Sequence, residues 1–461
     1  MTTLHYLGAF AVLLVITGLG LYSGTRVKSA GDFSGGSKKA GAGIVAGSIV
    51  GTIAGGAATI GTAQLAFSFG FSAWWFTLGG GIGFLVLGAF YAKPLYESGI
   101  ITMPQALSRE YGRSVAIAAT VLTSISGFLS VVAQILAGTV LITSAADVPS
   151  GAAVCIILAM MIAYVLFGGM WGAGIVGIAK TVLVFIAIGG CGVLAVVWQG
   201  GFAAFTLALP ADQFFSLVAR GAAVDLGAGL SLILGVFTTQ AYIQATISAK
   251  NLRLSRIGVF IAAALTPLVG VAGIFVGLYM RLNAPDINPA GALPLFVLRH
   301  LPPLFAGGVL ATLLVVVMGT AAGISLGISS MFCNDIYRVH FKPGATDRQL
   351  LLVSRVVLAA VLCIAALVSV GNLGTFILNW SVMSLGLTGA VGFGVLSAAL
   401  FLPGRIPRSY AMFSMFVATG CVLIGKPLIG SVVDPLFFGV FGSLVVLAIG
   451  YYKHTRGSQL P

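Results

Sequence analysis

Hydrophobic positions along this chain come in long blocks rather than in alternation. Apolar runs of 18 or more residues recur over its whole length, separated by short polar connections. As helices, runs of that length match the hydrocarbon thickness of a bilayer. Thirteen spans are predicted: 4–23, 42–69, 72–95, 114–145, 150–168, 171–198, 227–248, 255–281, 303–334, 349–370, 372–402, 408–426 and 432–452. Two of them look interrupted. Residues 51–61, "GTIAGGAATIG", place four glycines in the middle of the second span. The seventh carries "GVFTTQAYIQ" at 235–244, which begins at Gly235 and gathers Thr238, Thr239, Gln240, Tyr242 and Gln244. A broken helix frees carbonyls and amides at mid-membrane, where they line a polar site. The two breaks lie five spans apart, which fits five plus five helices related by an inverted repeat. The competing reading is that the glycines at 51–61 serve close packing alone.

Composition agrees with the span pattern. The chain is 59% hydrophobic and 7% charged, against roughly 25% charged residues in soluble domains. Its 64 glycines suit close helix approach and helix breaks. We predict one transmembrane domain over 1–461: a leading helix at 4–23, a core at 42–402 and two trailing helices at 408–452. No Lys or Arg precedes Arg26, so the first span is read as a retained helix rather than a signal peptide. The five cysteines (Cys155, Cys191, Cys333, Cys363 and Cys421) lie in or beside apolar runs without metal-ligand spacing and read as small core residues.

The net charge of +13 has a topological explanation. With the N-terminus outside, eighteen of the 23 Lys and Arg residues fall in cytoplasmic connections, among them Arg26, Lys28, Lys93, Arg109, Arg113, Lys250, Arg253, Arg338, Arg405 and Arg408. Four (Arg220, Arg281, Arg299 and Lys426) fall outside. This asymmetry predicts an N-out, C-in chain in the inner (cytoplasmic) membrane and leaves no call for a nucleic-acid partner.

The remaining basic residue, Lys180, sits within "GIVGIAKTVLVFIAIGG" (174–190) in the sixth span. All ten acidic residues and all four histidines are placed in loops or at span ends. Such a lysine costs at least about 2.5–3.5 kcal/mol at a helix centre and marks a functional site by default. Its helical stripe holds Gly169, Ala173, Gly177, Val184 and Ala187, small residues that suit a face packed into the bundle. It lies nine residues past Trp171, roughly 13 Å deep. Two other readings compete: the stem snorkels to the interface, or the ammonium binds an anionic solute.

Six motifs together carry a family resemblance: "GTRVKSAGDFSGG" (24–36), "IGTAQLAFSFGFSAWW" (60–75), "ITMPQALSREYG" (101–112), "FGGMWGAG" (167–174), "QATISAKNLRLSRIG" (244–258) and "VVMGTAAGISLGISSMFCNDIYR" (316–338). In this order the chain resembles the sodium:solute symporter family, relatives of the sodium–proline and sodium–galactose symporters. The resemblance implies an all-α LeuT-type fold of ten core helices in two inverted repeats, with one helix before them and two after. The second span is then core helix 1, the sixth core helix 5 and the ninth core helix 8. The family's sodium ion lies between core helices 1 and 8. Its implied ligands are the carbonyls of Gly51, Ala54 and Val316, with hydroxyls at positions 319 and 320. Thr320 keeps a hydroxyl, but Gly319 stands where the family usually has Ser. In core helix 5 the family's Asp and Gln positions, three apart, are Gly177 and Lys180. The resemblance also implies a solute site beside the breaks, with candidates Ala57, Ala58, Thr59, Gln134, Thr239, Gln240, Tyr242, Asn379, Trp380 and Ser381. For each polar residue among them, helix–helix hydrogen bonding is the competing role.

The expected function is secondary active transport of a small polar solute by alternating access. An amino acid or small carboxylate is favoured, since Ala57 and Ala58 replace the polar side chains of sugar-transporting relatives. Lys180 is expected to stand in for sodium, its ammonium taking the broken helix's carbonyls and the Thr320 hydroxyl as acceptors. Burial opposes the charged form while carbonyls favour it, so proton coupling or sodium-independent transport is expected, with conventional sodium coupling as the alternative. A transporter-like sensor acting through a separate partner is a further alternative. No cofactor or metal is implied, the expected partners are the solute and membrane lipid, and oligomeric state is left open. An enzyme is not expected, because no paired carboxylates or nucleophile–base pair sits in the membrane.

Overall fold

The computed structural model describes residues 1–24, 38–146, 148–429 and 433–457. The motif at 24–36 with Arg26, Lys28 and Asp32 lies almost wholly outside the described residues, as does Asp147. The side chains of 165–175, which include Gly169, Ala173 and the 167–174 motif, lie outside them too, as do those of Lys426 and Arg456.

The described chain is helical. Helix α1 (Thr3–Gly24) leads. The second span is broken as expected, into α2 (Ala42–Ile53), a π turn at Ala57–Gly61 and α3 (Thr62–Phe69). The next is α4 (Trp75–Val86), joined through a π turn to α5 (Ala92–Glu97). A short amphipathic helix, α6 (Met103–Tyr111), precedes α7 (Arg113–Ala145). Helix α8 (Ser150–Val184) carries Lys180 and continues through a π turn into α9 (Gly190–Trp198). The seventh span is α10 (Ala222–Thr238) and α11 (Gln240–Ile247), bent by 46°. Then come α12 (Leu252–Asn283), α13 (Pro303–Met331), α14 (Asp347–Val370), α15 (Ile377–Phe401), α16 (Arg408–Ile429) and α17 (Leu436–Gly457).

Among the described residues, ten helices are long and apolar enough to cross a membrane, or eleven if the bent pair α10–α11 is one span. The difference from thirteen arises where helices are too short or run together. Helix α2 has 12 residues, the stretch Ala57–Glu97 is taken as one span, and α8 runs through the boundary predicted at 169–170.

The packing has a two-fold pattern. Helix α2 lies along α8, and α10 lies along α15. Helix α12 packs on α2 and α3, as α4 packs on α10. Helix α7 meets α15, as α13 meets α8. Each pairing in the first half thus has a counterpart in the second, as two inverted repeats require. Both parallel crossings are closed by glycine. A Cβ on Gly177 would stand 2.3 Å from the Gly47 carbonyl oxygen, and one on Gly235 would stand 2.3 Å from that of Leu385. The two broken spans are tied near one membrane face by an isolated bridge: Ala40 N donates to Ser248 O and Lys250 N to Ala40 O.

Candidate functional site

The first break lies at Ala54–Gly56. Helix α2 ends where Ala54 turns to ψ 56°, and Gly55 N donates back to Ile53 O at 2.7 Å. Two glycines are needed here because neighbours come close. A Cβ on Gly55 would lie 2.6 Å from Thr320 Oγ1, and one on Gly56 2.3 Å from the Ala137 Cβ. Gln134 on α7 caps the break, its Oε1 accepting from Gly56 N at 2.8 Å. The second break falls at Thr239, whose ψ of 125° ends α10. Sequence placed its start at Gly235, but Gly235 is helical and serves the contact with α15.

Lys180 is 1% exposed. Its Nζ donates to Val316 O at 2.9 Å and to Thr320 Oγ1 at 3.3 Å, both on α13. Thr320 Oγ1 in turn donates to Gly51 O at 3.4 Å. The Lys180 amine thus ties α8 directly to α13 and, through one hydroxyl, to α2. This corrects the expected acceptor set. The direct carbonyl ligand comes from Val316, not from the broken helix, and Ala54 makes no hydrogen bond to the ammonium among the described residues. The snorkelling reading also fails, because the whole side chain is enclosed.

Two glycines make room for this side chain. A Cβ on Gly319 would lie 2.9 Å from Lys180 Nζ and 3.3 Å from its Cδ. A serine there would occupy the space the ammonium needs. Gly177, one turn before Lys180, sits against Gly47, and a Cβ on Gly51 would lie 2.8 Å from Gly177 Cα. No larger side chain fits that crossing, so α2 and α8 approach closely enough for Lys180 to reach α13 behind the break. No carboxylate bonds to Lys180 among the described residues.

Beside this cluster lies a cavity bounded by α2 and the first break, α7, α11, α13 and α15. Of the expected solute residues, Ala57, Gln134, Thr239, Gln240, Tyr242 and Ser381 line it. Ala58 and Thr59 do not: both are fully enclosed, and the Thr59 hydroxyl is turned to Gly55 O. Asn379 and Trp380 also lie away from it, nearer the end of α15, where Asn379 is exposed and the Trp380 indole donates to Thr375 Oγ1. Thr320 lines the cavity and also holds Lys180, so one hydroxyl joins the two places. Among the described residues, Ser381 Oγ is buried with no hydrogen-bond partner. Sequence reading missed Thr52, Thr123, Ser130, Ser384 and Thr388 on the walls. Their signal was spacing: Ser130 precedes Gln134 by one turn, and Ser381, Ser384 and Thr388 follow one another at three and four residues on one face.

Two buried acids also fall outside the sequence expectation. Asp225, at the start of α10, is fully enclosed and pairs with Arg220, whose Nη2 lies 2.6 Å from Oδ1. Asp335, just past α13, is 7% exposed and accepts from Thr102 Oγ1 at 2.9 Å.

Comparison with known proteins agrees with this geometry. Residues 33–418 match the sodium:solute symporter family. The Drosophila melanogaster high-affinity choline transporter 1 is 23% identical over 295 residues, covering 61% of this chain and 48% of that protein. The Bos taurus sodium/myo-inositol cotransporter 2 is 25% identical over 320 residues, covering 60% and 47%. The matched stretch thus spans about half the length of these relatives. Among solved structures, a Na+-coupled sialic acid symporter in its outward-open state superposes with TM-score 0.82 at 18% identity, covering 99% of this chain and 98% of that one. Mhp1, a nucleobase-cation-symport-1 family transporter, superposes with TM-score 0.55 at 14% identity, covering 91% and 94%. These likenesses are to transporters rather than enzymes, and the chain is a multi-pass membrane protein of transporter fold. It belongs to the sodium:solute symporter family.

Proposed function

We propose that this protein is a secondary active transporter of a small polar organic solute in which the Lys180 ammonium takes the place of the coupling sodium ion. One observation carries the reading: Lys180 Nζ lies on the carbonyl of Val316 and the hydroxyl of Thr320, two of the groups the family resemblance implies as sodium ligands. A cation fixed to α8 performs the electrostatic work of a bound ion at these oxygens and holds α8, α13 and α2 together. Protonated, the amine offers three donors; neutral, it offers two and a lone pair. Loss of the proton therefore weakens this three-helix tie, and that links the tie to the proton gradient. Solute is bound in the adjoining cavity, which Thr320 connects to Lys180. An amino acid or small carboxylate fits the Ser, Thr and Gln lining together with the amides opened by the two breaks.

The second reading is sodium coupling, as the names of the sialic acid symporter and the inositol cotransporter state for those proteins. Uptake into proteoliposomes separates the two. A panel of labelled amino acids and small carboxylates is offered with and without sodium, and with an inward pH gradient. Uptake that persists without sodium and rises with the pH gradient is expected. Strict dependence on sodium would overturn the proposal.

A further inference from the structure

The stretch Ile101–Met103 crosses from α5 to α6 at the face that carries Lys93, Arg109, Arg113, Lys250 and Arg253, the face assigned to the cytoplasm by charge. Two side chains hold it, one on α11 and one just past the end of α13. Gln240, the first residue of α11, grips the backbone on both sides of Thr102. Its Oε1 accepts from Met103 N at 2.8 Å, and its Nε2 donates to Ile101 O at 3.0 Å. Between these bonds, the Thr102 hydroxyl turns the other way and donates to both carboxylate oxygens of Asp335 at 2.9 Å. Thr102 is the residue before α6 yet makes no side-chain cap there, so its hydroxyl is spent on Asp335.

The two anchors stand on different helices, α11 and the extension of α13, which also pack on each other. Gln240 belongs to the broken span α10–α11, and α11 packs on α2. Asp335 extends α13, which packs on α7 and α14. Alternating access moves one such group against the other around a fixed site. A strap bonded to both has to release one of them before the cavity opens to this face. Gln240 also lines the cavity, as does Met331 one turn before Asp335, so the strap is bonded to a residue of the cavity wall.

We propose that Gln240 and Asp335 are positioning residues of the transport cycle: together they hold the 101–103 strap across the cytoplasmic exit of the cavity, and its release opens that exit. Gln240 is therefore a gate residue rather than only a solute ligand. The proposal rests on the transporter reading but not on Lys180, and its test does not measure transport, so failure of one leaves the other standing.

The test is thiol labelling of a Ser381→Cys reporter on the cavity wall, in protein with the five native cysteines replaced. Proteoliposomes of known orientation are treated with an impermeant thiol reagent from one face at a time. Thr102→Val keeps the shape and loses the hydroxyl, and Gln240→Met keeps the length and loses the amide. Each is expected to speed labelling from the basic face about tenfold, the weight of one good hydrogen bond to a charged or paired backbone group, without speeding it from the other face. Thr102→Ser is expected to label at the parent rate. Unchanged rates in both apolar variants would overturn the proposal. So would an equal increase from both faces, which marks general loosening. So too would a Thr102→Ser variant that labels as fast as Thr102→Val.

Discussion

Lys180 is the residue on which the cation-site reading depends. Its burial is tolerated because two positions around it have no side chain. Gly319 leaves the volume the ammonium fills, and Gly177 lets α8 lie against α2. Glycines thus stand at 319 and 177, where the family resemblance leads one to expect a hydroxyl and a carboxylate, and a lysine stands at 180 in place of the expected Gln. This makes a specific pairwise prediction. Gly319→Ser in the parent chain places a Cβ 2.9 Å from Nζ, and overpacking of this kind costs about 1–3 kcal/mol. In a Lys180→Ala background the same change meets the Tyr164 hydroxyl, 3.3 Å from the new Cβ, and is expected to cost less. Thermal unfolding of the four proteins measures the coupling. Equal costs of Gly319→Ser in both backgrounds would mean the two positions do not share that space. The lysine was legible in the sequence, as was its inward direction. Its Thr320 acceptor was read as well, but its carbonyl acceptor was not, because a carbonyl carries no sequence signal and only the crossing angle decides which helix offers one.

At the scale of elements, the broken helices show what can be read from a sequence and what is hidden. Four glycines announced the first break, and the structure uses Gly55 and Gly56 for it while assigning Gly51 to the crossing with α8. Both uses demand glycine, so composition alone does not separate them. The second break fell four residues beyond Gly235, at Thr239, because its polar residues rather than its glycine mark the opening. The wall residues Ser384 and Thr388 escaped notice for another reason. Ser381, Ser384 and Thr388 do form a stripe on α15, but hydroxyls in an apolar helix bond their own backbone or a neighbouring helix as readily as they line a cavity. Two element-level predictions follow from named contacts. Gly177→Ala forces α2 and α8 apart and should abolish transport while lowering the unfolding temperature; normal activity in that variant would refute the tight crossing. At the opposite end of the bundle, Asp225 accepts from Arg220 Nε, Arg220 N and Ser72 Oγ at 2.7–2.9 Å, and so ties the segment before α10 to the turn before α4. Removing one partner of a buried pair costs about 3–5 kcal/mol. Asp225→Ala should therefore destabilise far more than Asp286→Ala at an exposed loop, as chemical denaturation would measure.

For the whole molecule, the paired crossings give a two-fold framework with two breaks at its centre, and the charge pattern gives that framework a direction. Labelling checks the direction. A cysteine at Gly404, in a basic loop, and one at Gly221, before α10, should react from opposite sides of a sealed membrane, with Gly404 on the cytoplasmic side. The architecture as a whole was the most legible level, since spans, breaks and motif order all constrain it together. The count of spans was less so, because short and fused helices share the same apolar composition. The proposed function turns on the Lys180 amine that α8 places at the oxygens of Val316 and Thr320. Equilibrium binding of radioactive sodium to the purified protein, beside its Lys180→Ala, Gly319→Ser double variant, tests this most directly. The parent protein should show no saturable binding, and the double variant, with the ammonium removed and a hydroxyl restored, should gain it. Saturable sodium binding by the parent protein would contradict the assignment of Lys180 to the cation site.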